Sequence, residues 1–139
     1  MNESTKAIIK STAPLIKEKG EEITTLMYTH LFSNYPEAKE LFANAKPDQY
    51  KKLAKMVYAY AANIDNLPAL QKGIDKVAQI HVDVNILPEH YPWVGESLLT
   101  AIKEVLGDGA TKEVIDAWAE AYSFLSDLFI AKEKELYAR

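Results

Sequence analysis

Residues 67–81, LPALQKGIDKVAQIH, set apolar side chains at Leu67, Leu70, Ile74 and Val77 and then, on the same stripe, a histidine at position 81. Steps of three and four residues bring these side chains to one face of a helix. Asn66 is a natural cap ahead of it, and Pro68 suits a first turn, where a missing N–H costs nothing. An apolar helical face that ends in an imidazole is unusual enough to organise the reading of everything around it.

Six prolines and five glycines punctuate the chain, and between them the apolar residues recur at helical spacing. A first helix is expected over about 5–19 with Pro14 as a kink, and Gly20 as a stop or bend before a second helix over about 21–34. Pro36 opens a short helix ending near Phe42, and Pro47 introduces a segment over 48–64 whose stripe reads Gln49, Leu53, Val57 and Tyr60. Beyond Pro88 and Pro92 comes a helix carrying Val94, Leu98, Ala101 and Val105, stopped by Gly107 and Gly109. Thr111 caps the last helix, whose stripe runs Ile115, Trp118, Tyr122, Leu125, Phe129 and then Glu133. One run, Ile80 to Leu87, alternates like a strand; having no second strand to pair with, it reads as an extended loop. The fold class is all-α, with no repeat or linker.

A length of 139 residues fits one domain over residues 1–139, and 48% hydrophobic with 26% charged residues is the balance of an ordinary globular chain. Sixteen basic against twenty acidic side chains give a net charge of −4, which supplies no basic field for nucleic acid. No apolar run approaches the roughly 20 residues of a membrane span, and the first ten residues, charged at Glu3, Lys6 and Lys10, do not read as a secretory signal. A cytoplasmic protein is expected.

With no cysteine in the chain, disulfides, thiolate catalysis, cysteine-held zinc, iron–sulfur clusters and covalent haem attachment are excluded. The residues three before His30, His81 and His90 are Met27, Ala78 and Leu87, so the Glu-x-x-His pairs of di-iron bundles are absent. His-Glu-x-x-His and Gly-x-Ser-x-Gly are absent too. What is left is one histidine on an apolar face, with a tyrosine and a glutamine on other helices beside large apolar residues. A flat apolar cofactor with one axial nitrogen uses all of these. The competing reading is a hydrogen-bonded core histidine, with Tyr28 and Gln49 at the boundary and Glu133 at a solvated helix end between Lys132 and Lys134. Trp118, Tyr122 and Phe129 read as packing, His30 and His90 as surface residues, and Lys51, Lys52 and Lys55 as a solvated face.

The order Tyr28, Pro36, Phe42, Gln49, His81, Tyr91, Gly95 and Glu133, with the strings NIDNLPAL (63–70), PEHYPWVGESLL (88–99) and DAWAEAY (116–122), resembles the globin domain of bacterial flavohaemoglobins and the single-domain bacterial haemoglobins over nearly the whole chain. The resemblance implies a globin fold with helices around a pocket for one non-covalent haem b, and His81 as the metal ligand. It implies Tyr28 and Gln49 as the polar pair on the far side of the ring, and Phe42, Leu53, Val57 and Leu98 as apolar walls. Tyr91 and Glu133 match residues that hydrogen-bond with the ligand histidine and make it more electron-donating. Ile80 departs from the pattern, standing where many flavohaemoglobins carry a basic residue near a haem propionate.

Dioxygen, nitric oxide and carbon monoxide are the implied ligands. Family members convert nitric oxide to nitrate and need one electron per turn; with no flavin or nicotinamide domain after Arg139, a separate NAD(P)H-dependent reductase is expected. Tyr28, Tyr91 and Glu133 would then be the catalytic side chains. The alternative function is oxygen storage, delivery or gas sensing without significant catalysis, and oligomeric state is left open.

Overall fold

The computed structural model describes residues 1–138, and the described residues form helices and connecting turns, with no strand. Five α-helices follow one another: α1 (Glu3–Asn34), α2 (Gln49–Ala62), α3 (Gln71–Asp83), α4 (Tyr91–Leu106) and α5 (Lys112–Tyr137). Short 3₁₀ turns at Pro36–Phe42, Leu67–Leu70, Pro88–His90 and Gly107–Gly109 join them. No helix is long and apolar enough to cross a membrane.

The two helices expected before residue 35 are one: α1 runs unbroken through Pro14 and Gly20. Glycine inside a helix costs about 1 kcal/mol relative to alanine, and contact with α2 accounts for its place here. Gly20 is buried, and a Cβ built on it would stand 3.3 Å from the Ala54 Cβ. One turn on, the buried Thr24 hydroxyl donates to the Tyr50 carbonyl at 2.8 Å. These two contacts clamp α1 to the start of α2.

Two apolar clusters fill the interior. The larger joins Ile9, Ile16, Ile23 and Met27 of α1 to Tyr60, Leu98, Ile102 and Trp118. Trp118 is 2% exposed, and its indole N–H donates to Thr12 Oγ1 at 3.1 Å. The smaller joins Ile74 and Ala78 of α3 to Tyr91 and Phe129. Among the described residues, no buried side-chain nitrogen or oxygen lacks a partner.

The alternating run is a loop only in its second half, because α3 continues to Asp83 and carries His81 in its last turn. The helix then closes on Asn85, whose φ of 64° lies in the left-handed region, while the Ile86 N–H returns to the His81 carbonyl at 2.9 Å. This is the helix-ending geometry that asparagine tolerates better than most residues. Asn66 occupies its expected position, but its side chain makes no capping bond; Thr111 does cap α5, accepting from the Val114 N–H at 3.3 Å.

Gly20→Val forces a branched side chain into the α1–α2 contact. It should lower unfolding free energy by about 1–3 kcal/mol, read as a reduced denaturant midpoint; an unchanged midpoint would show that the two helices do not need the close approach.

Candidate functional site

Three side chains distant in sequence meet where α3, α4 and α5 converge. His81 Nδ1 lies 2.9 Å from Glu133 Oε2 and 3.1 Å from the Tyr91 hydroxyl. Tyr91 in turn donates to the Glu133 carboxylate at 2.8 Å. Glu133 is only 3% exposed, so the solvated helix end considered for it is replaced by a buried, fully partnered carboxylate. Burial first, and then the hydrogen bond and charge of Glu133, hold the Tyr91 phenol far above its ordinary pKa. With Tyr91 keeping its proton and giving it to Glu133, the remaining hydrogen in the cluster must come from the imidazole. The Nδ1–H is therefore the donor, and the tautomer this selects for the uncharged ring carries its lone pair on Nε2. Nε2 makes no hydrogen bond among the described residues.

The imidazole is oriented from several sides. The Phe129 ring lies 5.4 Å away at 49°, and the Tyr91 ring 6.2 Å away. The carbonyl end of α3 adds a partial negative charge near His81. Tyr91 is itself held by Tyr122, whose hydroxyl donates to the Tyr91 carbonyl at 2.7 Å. Gly95 makes room for this: a Cβ there would sit 2.6 Å from Cε2 of Tyr122. Tyr122 and Phe129 read from sequence as packing alone. A hydroxyl recurring on an otherwise apolar stripe was the only signal that Tyr122 does more.

Phe129, packed on His81, also lines a cleft between α2, α3 and α5 together with Met56, Leu70, Ile74, Val77 and Leu125, with Lys52 at its wall. Ile74 and Val77 share the face of α3 that carries His81. The cleft measures about 270 Å³, a little under the roughly 300–1,000 Å³ of small-molecule pockets. Met56, Leu70 and Val77 on its lining are half-buried.

At the start of α2 the structure gathers Tyr28, Phe42 and Gln49. The Tyr28 ring meets Phe42 edge-on at 5.3 Å and stacks near Phe32 at 5.8 Å. Burial pushes the Tyr28 phenol up to about 12, with the Gln49 side chain acting in the opposite sense. Leu53 and Val57 are half-buried on α2, whereas Leu98 is 5% exposed and sits within the main core. His30 pairs with Glu104 at 3.1 Å, and His90 accepts the Leu87 N–H at 2.9 Å. Lys51, Lys52 and Lys55 are exposed. Among the described residues no cluster of three or more His, Asp or Glu side chains could hold a metal ion.

The sequence matches the Globin family over residues 25–128. A globin-like protein of Aquifex aeolicus is 52% identical over 139 residues, covering 100% of this chain and 99% of that one. The flavohemoprotein of Oceanobacillus iheyensis is 49% identical over 140 residues, 99% of this chain but 34% of that protein, so the chain spans about a third of its length. An engineered carbene transferase from Rhodothermus marinus, described provisionally as a nitric oxide dioxygenase, superposes with a TM-score of 0.95 at 40% identity, covering 99% of this chain and 96% of that chain.

Tyr28 ionises at about 12 in the folded chain against 10.0 for a free phenol. A raised folded pKa means stability that is complete below pH 10 and lost as pH climbs through 12. Alkaline denaturation followed by circular dichroism should steepen in that window and be shallower in Tyr28→Phe; identical profiles would remove Tyr28 from the buried phenols.

Proposed function

The chain belongs to the globin family, and from that membership we propose that it is a single-domain haemoglobin spanning residues 1–139 that binds dioxygen and converts nitric oxide to nitrate. It works in the cytoplasm with electrons from a separate NAD(P)H-dependent reductase. The observation that carries this reading is the imidazole of His81, whose Nδ1 proton is committed to Glu133 and Tyr91 while Nε2 is left as a lone-pair donor. A single imidazole near an apolar cleft, with no second ligand cluster among the described residues, suits a metal that brings its other ligands with it. Iron protoporphyrin, as haem b, is such a group. A porphyrin in the cleft would meet Met56, Val77, Leu125 and Phe129, with Lys52 near enough to the opening to face an anionic edge. Leu53, Val57, Phe42 and Leu98 complete the apolar surroundings in this reading.

When bound, haem would supply iron redox chemistry towards diatomic gases, for which the overall conversion balances as NO + O₂ + e⁻ → NO₃⁻. The roles of the chain's own residues follow from their chemistry. Glu133 accepts the Nδ1 proton of His81 and raises the electron donation of Nε2, favouring oxygen activation over storage. Tyr91 shares that carboxylate and limits how far the imidazole can rotate. On the other side, Tyr28 keeps its O–H proton up to about pH 12, so at neutral pH it is a donor and never an anion. A hydrogen bond from it to a partly charged ligand oxygen is worth about 1.5–3 kcal/mol. Gln49 orients that phenol or adds a second donor. Carbon monoxide, developing less charge, gains less from either.

Three measurements test this. His81→Ala should lose stably bound haem, seen as loss of Soret absorption in the purified protein, while Tyr28→Phe should speed dioxygen release about tenfold to a hundredfold and alter carbon monoxide release far less. Mixing the oxygenated protein with nitric oxide should yield one nitrate and one ferric haem per chain. A slow reaction, with ready dioxygen release, would instead mark an oxygen carrier.

A further inference from the structure

Of the chain's eight tyrosines, two donate to a carboxylate among the described residues. One is Tyr91, buried against Glu133. The other is Tyr35, between α1 and the Pro36–Phe42 turn, whose hydroxyl donates to Glu96 Oε2 at 2.7 Å in an exposed position. Its ring lies flat on Trp93, with centroids 4.9 Å apart and planes 8° from parallel. Trp93 also packs against His90 at 5.0 Å. Trp93 stands two residues after Tyr91 in the first turn of α4, so the two rings leave different sides of that helix and the stacked pair lies towards the surface, apart from the His81 cluster.

Such an arrangement matters for electron loss. A phenol that gives up an electron becomes a strong acid, and oxidation is easy only where a base already accepts its proton. The carboxylate of Glu96 is such a base. It also holds the resting Tyr35 phenol above its ordinary pKa, so the proton stays on oxygen until the electron leaves. The other tyrosines are worse placed. Tyr60, Tyr122 and Tyr137 donate to the backbone carbonyls of Ala121, Tyr91 and Ile86, which are too weakly basic to take a proton. The rings of Tyr50 and Tyr58 lie under the ammonium groups of Lys51 and Lys17, at 6.0 and 5.9 Å, which oppose any gain of positive charge. Tyr28 is packed among phenylalanines. The second tryptophan, Trp118, is buried with its N–H on a threonine hydroxyl.

We propose that Tyr35 and Trp93, with Glu96 as proton acceptor, form a one-electron oxidation site that discharges oxidising equivalents at the surface, away from the His81 cluster. The co-reactant is a strong one-electron oxidant; only its origin at a bound haem rests on the function proposed above. One electron passes from the stacked pair to the oxidant, the Tyr35 O–H bond breaks, and the proton moves to Glu96. The products are a neutral phenoxyl radical, a carboxylic acid and the oxidant reduced by one electron. Return of one electron and that proton restores the pair.

The test uses the full chain as purified, a ruthenium tris-bipyridine photo-oxidant with persulfate, and a nitroso spin trap located by peptide mass spectrometry. Because the oxidant is external, this arm reads the same whether or not haem is bound, and an absent Soret band would separately reject the haem reading. Tyr35 should be labelled ahead of Tyr137, although Tyr137 is 41% exposed. Labelling should fall several-fold in Glu96→Gln, which keeps an acceptor but loses the base, and in Trp93→Phe. Circular dichroism should confirm that both variants stay folded. Labelling that follows exposure, with Tyr137 leading, or that ignores Glu96→Gln, overturns the proposal. In haem-loaded protein, hydrogen peroxide should place the radical on the same pair; a radical confined to Tyr91 overturns the discharge to the surface.

Discussion

A carboxylate shut away from water is costly unless its oxygens receive hydrogens, and Glu133 receives them from Tyr91 and His81. That constraint ties three helices together. Remove either donor and a buried charge loses a partner, so the geometry of the imidazole and the stability of the α3–α4–α5 junction are one requirement. It also decides which nitrogen of His81 is engaged within the protein, Nδ1, and leaves Nε2 without a protein partner among the described residues. Tyr122, reaching the Tyr91 backbone across the gap left by Gly95, carries the same constraint one layer further out.

The surroundings of Tyr28 are governed by helix crossing. Tyr28 and the α1–α2 contact lie on the same unbroken helix, with Gly20, Thr24 and Tyr28 one turn apart in succession. Their common face meets α2 at Ala54, Tyr50 and Gln49. The separation between the phenol and the amide is therefore set by a backbone approach and a buried hydrogen bond, not by loop length. The first turn of α4 carries both Tyr91 of the His81 cluster and Trp93 of the pair formed with Tyr35, two residues apart and so on different sides of the helix.

Helical periodicity was enough to place α2 to α5 within a few residues, because each buries one stripe and each begins at a proline or a capping threonine. The resemblance to flavohaemoglobin globin domains named His81, Tyr91 and Glu133 before any of them could be seen together. Local composition misled where tertiary contact overrides it. Gly20 looked like a helix stop, but close packing on Ala54 gives glycine a reason to sit mid-helix. The alternation from Ile80 to Leu87 looked extended, yet half of it is the last turn of α3, stabilised by burial of Ala78 and by the turn at Asn85. Glu133 alone would have read as a surface residue, since no rule of sequence spacing shows which carboxylate a histidine 52 positions away will find.

The final turns of α5 touch the last turn of α3 and the loop that follows it. Glu133 holds His81 from within, and Tyr137, one turn later on the same side, donates to the Ile86 carbonyl at 2.6 Å from without. A slip of α5 by a single residue would swing both side chains through about 100° and break both grips at once. The axial sliding of one helix along the other is thus an all-or-nothing motion at this corner, and the imbedded ring inherits that stiffness.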